Sequence, residues 1–199
     1  MEEEVFGIPR AVLEEAVGRF QGFLPADEGL PALARRLEAL GEFRPRAEVE
    51  EDADWQQVIP YVALSCGARI LLLERLASQG ERRLHHLLSI GVGGHVRRET
   101  PGAEPLLVRG LRREVEEEVS IDLAHERPPE LLGFINDDSN AVGRVHFGLA
   151  CRLEVERPVE VREKDRMRGS WVERALLRSH EGRFESWSRI LAGALVASD

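Results

Sequence analysis

Arg113-Glu114-Val115-Glu116-Glu117-Glu118 decides how this chain reads, because it sets four carboxylates within five consecutive residues. On a helix turning 100° per residue, Leu107, Leu111, Val115, Val108 and Val119 fall at about 0°, 40°, 80°, 100° and 120°, one apolar stripe. On that wheel Glu114, Glu118 and Glu117 fall at about −20°, 20° and −80°, and Glu116 near 180°. Glu118 therefore sits inside the apolar stripe, Glu114 on its border and Glu117 beside it. Only Glu116 points where a solvated glutamate belongs. Burying unpaired carboxylates is costly, so this arrangement calls for a positive partner. A hard divalent cation bound by oxygen ligands meets that need. A charged, solvated helix face is the plainer alternative.

Upstream, the apolar run Leu84 to Val92 reads as a strand that leads into Gly93-Gly94-His95-Val96. Paired glycines after a strand allow positive φ and close backbone approach to a phosphate or a metal. A glycine pair, a loop, and a helix bearing Arg-Glu-aliphatic-x-Glu-Glu together resemble the Nudix hydrolase box, Gly-x5-Glu-x7-Arg-Glu-U-x-Glu-Glu-x-Gly-U with U aliphatic. Arg113, Glu114, Val115, Glu117, Glu118 and Ile121 match it in register. There are two departures. Gly94 lies 19 residues before Arg113, so the loop from Arg97 to Glu104 carries about five extra residues and Pro105 stands where the box has its first glutamate. Glu104 and Glu99 are the candidates to replace it. Ser120 stands in place of the closing glycine, which ends a helix less readily in the left-handed region.

The resemblance implies a metal-dependent hydrolase that cleaves the diphosphate linkage of a nucleoside diphosphate joined to another group, with Mg²⁺ or Mn²⁺ as cofactor. It implies Glu117 and Glu118 as principal metal ligands, Glu114 as a further ligand or the base that activates water, and Arg113 as the residue that orients a glutamate. Glu114, Arg113 and Glu117 form the expected catalytic group. Glutamates at i, i+3 and i+4 reach one point from consecutive turns, which supports that division. Gly93 is expected to offer its carbonyl to the metal, and Gly94 and His95 to lie against the substrate. A further carboxylate from a distant loop is expected at Glu163, with Asp165 as second choice, in the polar stretch before Trp171. Asp137 and Asp138 lie in Asn136-Asp137-Asp138-Ser139-Asn140, which a tight turn explains; the resemblance adds a role in substrate recognition. The competing function is a catalytically weak Nudix-fold module that binds a nucleotide or regulates.

Composition agrees with a small enzyme. A net charge of −9 excludes sequence-independent nucleic-acid binding and attraction to anionic lipid, both of which need positive surface. The expected partner is a small-molecule diphosphate, with no nucleic acid and no membrane. Cys66 and Cys151 have no metal-ligand spacing and read as structural thiols. The acidic start and the lack of any apolar run near 18 residues lead to a cytoplasmic expectation. His85, His86 and His95 have no partner at ligand spacing, and His146 reads as a hydrogen-bonded core histidine. Neither a P-loop nor a dinucleotide-binding glycine fingerprint is present.

The expected division is residues 1–50 as an N-terminal helical extension and residues 51–199 as the domain that the resemblance makes a Nudix hydrolase domain. Pro9 opens one helical pattern (Val12, Leu13, Ala16, Val17, Phe20) and Pro31 a second (Leu33, Leu37, Leu40). These stripes need cover, which packing on the sheet of the same chain or on a second subunit would give equally; the resemblance to Nudix enzymes, which are frequently homodimers, makes a homodimer the expectation. The remaining spacing predicts strands at 57–64, 68–75, 84–92, 130–136, 143–153 and 170–172, the box helix at 105–119, and a last helix at 185–196. Strands with one central and one terminal helix give an α/β fold, and the resemblance makes it a Nudix-type α/β/α sandwich around a mixed sheet.

Overall fold

The computed structural model describes residues 3–76, 87–100, 102–162, 164–165 and 167–197. In chain order the elements are β1 (Glu4–Pro9), α1 (Arg10–Val17), β2 (Gly22–Pro25), α2 (Leu30–Glu38), β3 (Glu42–Pro45), α3 (Arg46–Val49), β4 (Trp55–Cys66), β5 (Arg69–Arg75), β6 (Leu88–Ser89), β7 (Gly91–Gly93), α4 (Leu106–Glu118), β8 (Glu130–Asn136), β9 (His146–Glu154), β10 (Met167–Glu173) and α5 (Ser186–Ala197). Short 3-10 segments cover Gly143–Val145 and Arg174–Arg183.

The main sheet runs β10-β5-β4-β9-β8-β2. Its β4–β9 pairing is parallel, from Gln57↔His146 to Ser65↔Glu154, and the pairings beside it are antiparallel, so the sheet is mixed. Strand β4 shows why two layers of helix are needed. Its side chains alternate, so Val58, Val62 and Leu64 enter one core with α1, α2 and α4, while Ile59, Tyr61 and Ala63 enter another beneath α5. A strand buried on both faces reads as a nearly continuous apolar run, as β4 does. The result is the expected α/β/α sandwich.

The first fifty residues do more than add helices. Both expected helices form, and their stripes close within this chain: Leu13, Leu33, Ala34 and Leu37 are buried in the core that α4 shares. Each such leucine contributes about 2 kcal/mol of burial. A second subunit is not needed to cover them. The segment also supplies three short strands. β1 pairs with β3 and with β4 (Gly7↔Gln57), and β2 pairs with β8 at the sheet edge (Phe23↔Ile135). Four-residue strands beside prolines leave little period-2 pattern, which is why helical spacing dominates the reading of this stretch.

Other boundaries shifted for local reasons. The expected strand 84–92 survives as β6 and β7, broken at Ile90, with 84–86 outside the described residues. Gly143–Val145 is a 3-10 turn, so β9 begins at His146. The turn after β4 holds Gly67 at φ 58°, a left-handed conformation suited to glycine. Cys151 is fully buried in β9, and burial pushes its thiol up to about 12. Among the described residues no helix is long and apolar enough to cross a membrane.

Candidate active site

Helix α4 starts after Pro105, whose φ of −53° suits a helix entrance, and its first core amide, Leu107 N–H, donates to Glu38 of α2 at 2.8 Å. Leu107, Val108, Leu111 and Val115 bury its apolar stripe. That packing turns Glu114 inward, where its residue is 7% exposed. Burial raises its carboxyl above the usual range, and Arg113 offsets only part of that rise.

Arg113 is the hub that makes this burial tolerable. Its Nη1 donates to Glu114 Oε1 at 2.5 Å and lies 3.4 Å from the Glu117 carboxylate. Its Nε donates to Glu99 Oε1 at 3.0 Å, and its Nη2 to the His95 carbonyl at 2.9 Å. Burial works against the Arg113 charge, but Glu114, Glu99 and Glu117 raise its affinity for the proton. One planar fork thus ties α4 to the loop after β7.

Strand β7 delivers the glycine pair to that point. Its pairing sets Gly93 opposite Tyr61 of β4, and a Cβ on Gly93 would strike the Pro60 carbonyl. A Cβ on Gly94 would occupy the place of the Glu114 carboxylate. The pair is therefore glycine because backbone and a carboxylate share one space. Glu118, one turn beyond Glu114, lines the same cavity as Gly93, Gly94 and His95. That cavity, of about 640 Å³, runs from Glu118 of α4 between β4 and the start of α5.

His95 and His146 meet in the cavity wall, Nε2 to Nε2 at 3.1 Å. His146 Nδ1 lies 2.7 Å from the Val142 carbonyl, which only accepts, so Nδ1 carries the proton. Its Nε2 then accepts from His95. Burial, followed by the His146 charge, brings His95 down to about 4, and burial also lowers His146. The two rings are held neutral as a pair.

The structure brings together Arg113, Glu114, Glu117, Glu118, Gly93, Gly94 and His95. Glu117 is half exposed at 52%, on the solvent side of Arg113. Glu116, expected to face water, accepts the Leu123 amide at 3.2 Å, just beyond the end of α4. The turn residues behave as turn residues. Asp137 accepts from Ser139 N–H (3.0 Å) and Asn140 Nδ2 (2.9 Å), while Asp138 is taken by Arg10 (3.1 Å) and Gln21 (2.5 Å). Asn140, Val142 and Gly143 from this loop line the cavity in their place. Glu163, His85 and His86 lie outside the described residues. Asp165 is exposed on its turn.

The sequence left Glu104 and Glu99 open as alternatives, and the structure separates them. Glu99 meets Arg113, while Glu104 pairs with Arg112 at 3.4 Å. The signal was present: counting from Gly93, the first half reads Gly93-x5-Glu99, and the extra length follows Glu99. His146 is hydrogen-bonded as expected, but its pairing with His95 was not foreseen, because the two lie 51 residues apart. The start of the loop, before Glu99, is tied to the N-terminal segment by Arg97, which pairs with Glu3 (3.2 Å), and by Arg98, which pairs with Glu4 (2.8 Å).

Ser120 creates no conflict at the end of the helix. Val119 is extended at φ −124°, so no left-handed residue is required there, and Ser120 N–H donates to the Glu160 carbonyl at 2.7 Å. The pair Arg162 N–H to Glu118 carbonyl (2.8 Å) completes that seam.

As for a metal, the donor chemistry fits: three carboxylates leave consecutive turns of α4 beside a bare glycine backbone, all hard oxygen donors. Among the described residues, however, no three acidic, histidine or cysteine groups stand already clustered as a finished cage. Arg113 holds Glu114 instead.

No family model matches this chain. It is 35% identical over 202 residues to protein YmaB of Bacillus subtilis (strain 168), covering 98% of both proteins. Among solved structures, Tm1382, provisionally assigned as a Nudix hydrolase, aligns at TM-score 0.84 and 34% identity over 99% of this chain and all of its own. A bifunctional NMN adenylyltransferase/ADP ribose pyrophosphatase from Francisella tularensis, complexed with AMP and Mn, aligns at TM-score 0.53 and 13% identity over 84% of this chain and 46% of its own. That last likeness concerns the fold alone.

Proposed function

The chain belongs to the Nudix hydrolase family, and from that premise we propose that it hydrolyses the diphosphate linkage of a small molecule, a nucleoside diphosphate joined to a second group, with Mg²⁺ or Mn²⁺. The observation that carries this reading is the inward carboxylate of Glu114, 7% exposed, against the bare backbone of Gly94. A protein seeking only stability gains nothing from a carboxylate there. Glu114, Glu117 and Glu118, with the Gly93 carbonyl, would hold the cation. When bound, it supplies charge neutralisation on the diphosphate and a lowered pKa for water.

The chain's own residues do the rest. Arg113, fixed by Glu99 and the His95 carbonyl, holds Glu114 in one orientation. Glu114, facing the glycine backbone, accepts the proton of the attacking water. A new P–O bond forms from that water, the bridging P–O bond breaks, and two phosphate products leave. Gly93 and Gly94 let the phosphates approach the backbone closely.

The test is phosphate release from a panel of nucleoside diphosphate conjugates, with Mn²⁺ or Mg²⁺ and with a chelator. We expect turnover that the chelator abolishes. Saturable binding of these compounds without any release would favour the binding-module reading, and so would release that the chelator leaves intact.

A further inference from the structure

The 640 Å³ cavity beside the α4 carboxylates has a wall whose hydrogen-bonding groups are already committed to one another. Tyr61 Oη lies 2.6 Å from Glu185 Oε1, 2.6 Å from Ser188 Oγ and 3.0 Å from Ser89 Oγ. Glu185 in turn accepts the Trp187 and Ser188 amides at 2.9 and 2.7 Å, capping α5. Ser89 Oγ also donates to the Gly91 carbonyl at 2.8 Å. Across the cavity, Asn140 spends Nδ2 on Asp137 and Oδ1 on the Gly143 amide, both at 2.9 Å. The two histidines spend their facing nitrogens on each other.

Most of the surface between these groups is apolar, from Ile59, Leu73, Leu87, Phe184 and the indole of Trp187; Arg75, Ser186 and Arg189 complete the lining, with Ser186 hydrogen-bonded to Asp137 and Arg189 donating to the Phe184 carbonyl at 3.2 Å. A ligand part that enters meets apolar contact and few unspent donors or acceptors. Each hydroxyl buried there without a partner costs about tenfold in affinity or more, whereas each buried methylene gains about fourfold.

We propose that this cavity takes an apolar, hydroxyl-poor group, hydrocarbon or aromatic, attached to the diphosphate, and selects against a sugar in that position. This deepens the catalytic reading above and rests on it, since the diphosphate is taken to be anchored beside Glu118, the α4 carboxylate that lines the cavity.

The test is calorimetric titration of the full-length protein with Mn²⁺ and three uncleavable probes: methylenediphosphonate, its geranyl ester and its glucose 1-ester. We expect the geranyl ester to bind at least tenfold more tightly than methylenediphosphonate, and the glucose ester no more tightly. Leu87→Ser, at a half-buried wall position, should remove several-fold of the geranyl advantage and leave methylenediphosphonate unchanged. Equal binding of the two esters, or tighter binding of the glucose ester, overturns the assignment while the catalytic reading stands. Failure of methylenediphosphonate itself to bind overturns both.

Discussion

At the residue scale, the account turns on charges that hold other charges. Glu99 touches Arg113 rather than any reacting atom, so it is a positioning residue. Glu99→Gln keeps the shape and removes the charge, and we expect kcat to fall about tenfold to a hundredfold with KM little changed. Glu99→Asp should recover part of the loss. An equal rise in KM with kcat intact would instead make Glu99 a substrate contact. Asp137 illustrates a different economy. Burial raises its carboxyl, but hydrogen bonds from Ser139, Ser186 and Asn140 outweigh that and hold it below the usual value. A depressed carboxyl adds stability that is fully present above its ordinary pKa and is lost as pH falls through the folded value. Asp137→Asn should therefore cost about 1–2 kcal/mol near pH 7, and the gap from wild type should shrink as pH drops below about 4. Urea titrations at both pH values measure it, and a gap independent of pH contradicts the charge argument. Glu114 was legible in the sequence because a helix wheel needs only spacing, and Arg113 because it stands in register with the Nudix box. The Glu99 role required a contact across a loop of altered length, which spacing alone did not fix.

At the element scale, β7 and α4 meet through two neighbouring glycines that do different work. A side chain on Gly93 meets backbone, whereas one on Gly94 meets the free end of a glutamate. Gly93→Ala should therefore destabilise the fold by about 2–4 kcal/mol, as overpacking against a rigid carbonyl does. Gly94→Ala should leave stability within about 1 kcal/mol but displace Glu114 and lower kcat by a hundredfold or more. Thermal unfolding beside steady-state kinetics separates the two, and identical profiles for both variants would falsify this division. The helix and the long strands β4, β8 and β9 were readable because each repeats its period over many residues. The short strands β1, β2 and β3 were not, since four to six residues beside prolines give too little pattern and their partners are remote.

At the scale of the whole molecule, the N-terminal fifty residues are woven into the sheet and the site's supports. Phe6, Ile8, Leu13, Leu33 and Leu37 lie in the core that α4 completes, Arg10 binds Asp138, and Glu38 caps the start of α4. Sequence spacing finds the helices in this segment and even their apolar faces, but not the chain they cover. Deletion of residues 1–48 should yield a protein that does not fold cooperatively, because the burial of these five side chains, about 2 kcal/mol each, is as large as the whole stability of a typical domain. A truncated protein with a sharp unfolding transition and normal turnover would contradict this and make the segment a passive cover.

The central claim is that the α4 carboxylates act on a diphosphate through a divalent cation. Glu118→Gln tests it most directly, because the side chain keeps its size at the cavity mouth and loses only its charge. In the presence of Mn²⁺, kcat on whichever diphosphate the wild type hydrolyses should fall by about a thousandfold or more, with the unfolding midpoint unchanged. Turnover equal to wild type in a folded Glu118→Gln protein would contradict it.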